Sequence, residues 1–118
     1  MIHGTHVVLY TKDAEADRAF FRDVLDFPSV DAGYGWLIFA LPPAEAAFHP
    51  AEDNHRAELY LMCDDLRAEI ARLVKKDVVF EEPHTERWGT VSKIRLPGGG
   101  SLGLYAPSHP TATRLASE

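Results

Sequence analysis

The stretch His6-Val-Val-Leu-Tyr-Thr-Lys-Asp13 recurs in the second half of the chain as Glu58-Leu-Tyr-Leu-Met-Cys-Asp-Asp65. The two stretches align without a gap, because their first residues and their last residues are both 52 positions apart. Each is a short apolar run that ends in Asp and precedes a segment of helical pattern. Such a duplication predicts two similar units packed about a pseudo-twofold axis, with equivalent positions facing a shared cleft.

Length and composition predict a single soluble domain. A chain of 118 residues can bury a real core, and 46% apolar with 25% charged residues is ordinary for a globular protein. A net charge of −6 argues against nucleic acid and anionic membrane partners, which require a basic surface. The single cysteine, Cys63, cannot form an internal disulfide, and no export signal or membrane-length apolar run is visible. We therefore expect a cytoplasmic protein.

The first half of the chain, about residues 4–50, has the pattern of one βαβββ unit. Asp13 is a good helix N-cap, and the residues behind it place apolar side chains on one helical face. The predicted strands of this unit are 5–11, 30–32, 36–41 and 45–49. The polar run 51–56 has no periodicity and is the natural boundary between the halves.

The second half, about residues 57–107, repeats this order. Asp65 caps a helix with Leu66, Ile70 and Leu73 on one face. The predicted strands are 58–63, 78–80, 90–96 and 101–105. The tail, 108–118, is polar and is predicted to fray, with His109 in solvent.

These motifs together resemble the vicinal oxygen chelate superfamily, which includes glyoxalase I, bleomycin-resistance proteins, fosfomycin-resistance enzymes and extradiol dioxygenases. The resemblance covers about residues 4–107. It rests on the two repeated stretches, on the helix end Phe20-Phe-Arg-Asp-Val-Leu-Asp-Phe27 and on the hairpin Leu96-Pro-Gly-Gly-Gly-Ser-Leu-Gly-Leu-Tyr105. It implies an α+β fold in which two βαβββ modules form a cupped mixed sheet with the helices outside.

The resemblance also implies where a metal would bind. The four ligand positions of the family match His6, His49, Glu58 and Gly103, so the first three can hold a divalent ion (Fe, Mn, Zn or Ni) and the fourth lacks a ligand. Two histidines and one carboxylate have the composition of a facial triad with open positions. Glu58 is then the candidate catalytic proton acceptor. The alternative is that these residues are ordinary strand and rim residues that pair with their neighbours.

Four aromatic side chains are candidates for binding a small molecule. They lie on strands or loops that are predicted to face or border the cup, where an apolar surface with a few polar groups is typical of a ligand site. The alternative is that some of these side chains fill the core of the protein, above all Trp36. The candidates are Trp36, Tyr60, Trp88 and Tyr105.

Two functions remain open at this point. The first is a metal-dependent lyase, isomerase or dioxygenase that chelates vicinal oxygens of a small substrate. The second is a metal-free protein that binds or sequesters a small aromatic or cationic molecule, as the resemblance to bleomycin-resistance proteins implies. Exposed sheet edges and the pairing of family members predict a homodimer.

Overall fold

The strands form two sheets of unequal size in the computed structural model, which describes residues 6–54 and 56–113. The small sheet is an antiparallel hairpin of β1 (Ser29–Asp31) and β2 (Leu37–Phe39). The large sheet has the order β3-β6-β5-β4, in which β3 is parallel to β6 and the other neighbours are antiparallel. Its strands are β3 (Tyr60–Met62), β4 (His84–Glu86), β5 (Gly89–Arg95) and β6 (Ser101–Pro107).

The two helices begin at equivalent positions of the sequence repeat. They are α1 (Ala14–Asp23) and α2 (Leu66–Val74). The N-cap carboxylate of each accepts a hydrogen bond from the backbone N–H three residues further on, at 3.0 Å for Asp13 and 3.1 Å for Asp65. This satisfies one of the N–H groups that a helix leaves unpaired at its start. The predicted 52-residue repeat is confirmed for the helices.

The core lies on one face of the large sheet. Side chains alternate between the two faces of a strand, and the register pairs Leu61 with Leu104 and Ile94 with Leu102. These leucines and the isoleucine belong to one apolar cluster with residues of both helices. The helical members of that cluster include Phe20, Phe21, Leu66 and Leu73. The opposite face of the sheet carries Tyr60, Gly103 and Tyr105.

The strand predictions for the first half are partly wrong. Residues 6–11, within the predicted strand 5–11, have no strand structure, and neither do residues 45–49; Thr5 lies outside the described residues. The predicted strand 36–41 is reduced to β2. A strand needs backbone partners on a neighbouring segment. Residues 7–10 have none in the sheets of the described chain, and their side chains are 44–95% exposed.

The second half follows its predicted order more closely. The predicted strand 58–63 is present as β3, and the segment 78–80 makes a single bridge from Phe80 to Ile94. Strand β4 was not predicted, because its sequence His-Thr-Glu has no apolar alternation. The described ranges contain no helix that is long and apolar enough to span a membrane. The architecture is a mixed α+β fold, as predicted.

Candidate ligand site

Three aromatic rings meet on the sheet face that the helices do not cover. The ring centroids of Tyr60 and Trp88 are 6.0 Å apart, those of Tyr60 and Tyr105 are 5.7 Å apart, and those of Trp88 and Tyr105 are 5.3 Å apart. The three ring planes are close to perpendicular to one another, at 79°, 84° and 79°. These spacings and angles are favourable for aromatic pairs. We call these three residues the aromatic cluster.

The register of the sheet makes room for this cluster. Tyr60 on β3 pairs with Gly103 on β6, and Tyr105 lies two residues further along the same face. A Cβ atom on Gly103 would stand 2.5 Å from Cε1 and 2.7 Å from Cγ of Tyr60, well inside van der Waals contact. The Tyr60 ring therefore lies directly over residue 103, and only glycine leaves it this space.

The third ring belongs to Trp88, whose backbone is held by the end of β6 and by the segment that follows it. The carbonyl of Trp88 accepts the backbone N–H of Ser108 at 2.9 Å. The next residue, Gly89, has φ +152° and lies so close to the backbone of Ala106 that a Cβ would collide with it. The backbone around Trp88 is thus fixed on both sides, while its side chain remains 38% exposed.

Both phenol groups of the cluster take part in hydrogen bonds within the protein. The hydroxyl of Tyr60 donates to Oε2 of Glu58 at 3.3 Å. The hydroxyl of Tyr105 lies 3.2 Å from Nε2 of His109, whose Nδ1 lies 2.7 Å from the carbonyl oxygen of Pro110. A carbonyl can only accept, so Nδ1 of His109 carries a proton and donates to Pro110. The prediction that His109 is in solvent is wrong, since its ring is half-buried.

Two carboxylates act on the phenols of the cluster. Burial raises the pKa of Tyr60, and the charge of Glu58 raises it further. Burial also raises the pKa of Tyr105, with a further contribution from Glu45. The Glu45 carboxylate accepts the backbone N–H of Ala112 at 3.1 Å, which ties the segment after β6 to the first half of the chain. A negative charge thus acts on each phenol.

The predicted metal ligands are not brought together. His6 is exposed, and so is His49, whose Nδ1 lies 2.8 Å from the carbonyl oxygen of Pro50. Glu58 contacts Tyr60 and lies 3.6 Å from the Arg56 guanidinium. Residues 6–54 and 56–113 contain no group of three or more His, Cys, Asp and Glu side chains that could hold a metal ion. The triad of His6, His49 and Glu58 stays a prediction.

The fourth predicted ligand-binding aromatic lies apart from the cluster. Trp36 is 63% exposed, and the Arg18 guanidinium carbon lies over its ring at 4.6 Å from the centroid. The aromatic cluster therefore contains three of the four ligand-binding aromatic residues that the sequence predicts. His109, which the sequence does not predict at this site, contacts Tyr105 beside the cluster.

The sequence matches the model of one protein family. The Glyoxalase/Bleomycin resistance protein/Dioxygenase superfamily model covers residues 5–99. The chain belongs to this superfamily. Membership in the Glyoxalase/Bleomycin resistance protein/Dioxygenase superfamily confirms the family resemblance in the sequence. The comparison with curated proteins finds no match.

Several solved structures of the superfamily fold are similar to this chain. The structure of TnmS3, an antibiotic binding protein from Streptomyces sp. CB03234, is 26% identical, with a TM-score of 0.63 over 92% of this chain and 100% of that one. A glyoxalase/bleomycin resistance protein from the same organism is 25% identical, with a TM-score of 0.56 over 80% and 92%. A lactoylglutathione lyase from Agrobacterium tumefaciens shares the fold at 19% identity, with a TM-score of 0.64 over 88% and 92%.

Proposed function

We propose that this protein binds a small aromatic molecule at the aromatic cluster of Tyr60, Trp88 and Tyr105. The observation that carries the proposal is the position of the Tyr60 ring over Gly103. There the Tyr60 ring meets the exposed ring of Trp88 and the buried ring of Tyr105, and its hydroxyl donates to the Glu58 carboxylate. Rings supply apolar contact area, and a few polar groups fix the orientation of a ligand.

The glycine at position 103 favours one of the two candidate functions, binding of a small molecule, over metal-dependent catalysis. By the family resemblance, residue 103 occupies the fourth ligand position, where metal-dependent members usually carry Glu. Here a side chain at 103 and the ring of Tyr60 exclude each other, because they would occupy the same space. The Tyr60 ring thus occupies the space that the side chain of a fourth metal ligand would need. This arrangement favours ligand binding over metal catalysis.

The likeness to TnmS3 supports the same conclusion. That protein is described as an antibiotic binding protein, and the two chains are 26% identical over nearly their whole lengths. A bound antibiotic is a small organic molecule, which is the class of ligand that an aromatic surface takes. We therefore propose sequestration or transport of a small molecule as the activity.

Binding can be followed at the two tryptophans of the chain. Their indole N–H signals in ¹H–¹⁵N NMR spectra are assigned with Trp36→Leu and Trp88→Leu proteins. On titration with naphthalen-2-ylmethanol, the Trp88 signal should shift and saturate while the Trp36 signal stays in place. Trp36→Leu should keep the affinity, and Trp88→Leu should lower it about tenfold or more, as for an aromatic contact residue at the centre of a site. Equal effects of the two substitutions would refute the proposed site.

A metal-dependent lyase, isomerase or dioxygenase is the second candidate, and membership in a superfamily that includes glyoxalases and dioxygenases favours it. This function requires His6 and His49 to join Glu58 around one divalent ion, which would polarise substrate oxygens as a Lewis acid. Elemental analysis of untagged protein, followed by titration with Fe²⁺, Mn²⁺, Zn²⁺ and Ni²⁺, tests it. Metal binding that His6→Ala and Glu58→Gln both abolish would support the enzyme. Binding that neither changes would refute it.

We also propose that the protein is a homodimer that uses the surface of its first half. Large apolar side chains are exposed there, among them Val8 at 60%, Trp36 at 63% and Phe48 at 98%. An exposed apolar surface of this kind is typical of an interface. Analytical ultracentrifugation should give twice the chain mass, and Phe48→Ser should shift the equilibrium toward the monomer. A monomer at high protein concentration would contradict the proposal.

A further inference from the structure

Two cationic side chains lie on the same sheet face as the aromatic cluster. Lys93 of β5 pairs with Gly103 of β6, and Arg95 of β5 pairs with Ser101 of β6. Side chains alternate between the two faces along a strand, and residues opposite each other share a face. Because Ile94 is fully buried in the core, its neighbours Lys93 and Arg95 lie on the face that the helices leave open. The open face therefore carries aromatic rings toward one end and two cations toward the other.

Neither cation has a carboxylate partner. The ion pairs within residues 6–54 and 56–113 include neither Lys93 nor Arg95. Glu81 lies opposite Lys93, since its backbone N–H donates to the Lys93 carbonyl at 3.0 Å, yet the two side chains form no ion pair. Lys93 is half-buried, whereas Arg95 is exposed. Partial burial of an ammonium without a counterion is unfavourable, and this favours the binding of an anion beside it.

A small cavity lies beside the two cations. Its volume is about 120 Å³, and its lining includes Lys93, Arg95, Ser101 and the turn residues Gly99 and Gly100. An ammonium, a guanidinium and a hydroxyl can all donate hydrogen bonds, and charged donors bind carboxylate or phosphate oxygens strongly. The Glu81 carboxylate also lines the cavity and is the one negative side chain there, so it opposes the two cations. The cavity thus has the donors and the excess positive charge that an oxyanion needs.

One small ligand can reach both this cavity and the aromatic cluster. The Tyr60 ring lies over Gly103, and Lys93 is the neighbour of Gly103 on the next strand. Neighbouring strands are about 4.8 Å apart, so the backbones at Tyr60 and Lys93 are separated by about 10 Å. Gly103 has no side chain that could stand between them. Glu58, which would repel an anion, precedes β3 and is two strands away from β5.

We propose that Lys93 and Arg95 bind the acidic group of an aromatic ligand whose rings contact the aromatic cluster. The acidic group is a carboxylate or a phosphate, and its oxygens accept hydrogen bonds from the ammonium and the guanidinium. This inference rests on the proposed binding function and specifies the class of ligand as an aromatic acid.

Three probes that share one ring system test the inference. Isothermal titration calorimetry at pH 7 and low ionic strength compares 2-naphthylacetate and 2-naphthyl phosphate with the neutral naphthalen-2-ylmethanol. At least one acid should bind about tenfold more tightly than the alcohol, as expected for charge-assisted hydrogen bonds to two cations. The tighter of the two acids shows whether the site takes a carboxylate or a phosphate. Addition of about 0.5 M sodium chloride should remove most of this advantage, because salt screens the charges.

Substitutions with opposite expected signs connect the preference to named charges. Lys93→Gln should lower the ratio of acid to alcohol affinity about fivefold, and Arg95→Gln, at a more exposed position, about threefold. Lys93→Arg keeps the charge and should keep most of the ratio. Glu81→Gln removes the opposing carboxylate and should raise the ratio about twofold. The affinity for the alcohol should stay the same in all four proteins, which verifies that each retains the folded site.

Arg67→Gln is the matched control. It removes one positive charge from an exposed position of α2, which packs on the core face of the sheet. It should leave the ratio of acid to alcohol affinity unchanged. If Lys93→Gln and Arg67→Gln change the ratio equally, a local role of Lys93 is refuted.

The outcomes separate this inference from the proposed function. If the alcohol binds at least as tightly as both acids and Trp88→Leu abolishes that binding, the proposed function stands and the acid inference is overturned. If an acid binds more tightly through Lys93 but Trp88→Leu has no effect on any probe, the oxyanion site stands and the proposed function is overturned. Failure of all three probes to bind would overturn both.

Discussion

Substitution of Gly103 by alanine tests the packing on which the candidate site depends. The new Cβ would stand 2.5 Å from Cε1 and 2.7 Å from Cγ of Tyr60, whereas ordinary contacts between such atoms are 3.4–4 Å. The clash is with a ring that is hydrogen-bonded to Glu58, so either the sheet is strained or the ring moves away. Both results can be measured.

The size of the effect follows from two opposing contributions. Crowding of a packed site costs about 1–3 kcal/mol. Replacing glycine by alanine in a strand returns about 0.5–1 kcal/mol through the lower entropy of the unfolded chain. The net loss of stability for Gly103→Ala is therefore about 0.5–2 kcal/mol. For a domain of this length the expected decrease in Tm is about 2–8 °C.

Thermal and urea unfolding followed by circular dichroism provide the assay. Gly100→Ala is the matched control, because no atom lies within 4 Å of a Cβ at Gly100 and its backbone does not have the left-handed conformation. A double substitution, Gly103→Ala with Tyr60→Ala, should remove most of the effect of the first change, since it removes the clash. If Gly103→Ala matches Gly100→Ala in stability and also binds naphthalen-2-ylmethanol like the unchanged protein, the reasoning is refuted.

Two further predictions concern groups outside the cluster. Burial, with the charges of Glu69 and neighbouring aspartates, raises the pKa of Cys63 to about 11 from 9.0, so thiolate is scarce at pH 8. Alkylation by iodoacetamide at that pH should be about 100-fold slower in the folded protein than in urea, and the folded rate should increase about tenfold per pH unit up to about pH 11; equal rates would contradict the assignment. Asp13→Ala and Asp65→Ala should each lower the free energy of unfolding by about 1 kcal/mol in urea titrations, because each removes a helix N-cap, whereas Asp53→Ala in the loop should not.

The helices were predictable from the sequence because their determinants are local. An N-cap aspartate and an apolar face lie within one segment, and both Asp13 and Asp65 act as the sequence indicates. Strands depend on partners elsewhere in the chain. The apolar run 6–11 has the residue types of a buried strand, yet the described chain supplies it with no neighbouring strand.

The candidate site was predictable for the residues that stand on well-formed strands. Tyr60 and Tyr105 follow from the alternation of side chains, and Trp88 follows from its place just before β5. The contact of His109 with Tyr105 was not predictable, because it depends on the path of the chain after β6. Gly103 was interpreted as a missing metal ligand, and its role as the space beneath Tyr60 depends on the register of β3 against β6.

Intermolecular nuclear Overhauser effects test the central claim most directly. The sample is the protein saturated with naphthalen-2-ylmethanol, with the aromatic residues isotopically labelled. We predict contacts from the naphthalene protons to the ring protons of Tyr60, Trp88 and Tyr105, and none to Trp36. Contacts confined to Trp36, or to other residues outside the cluster, would contradict the account.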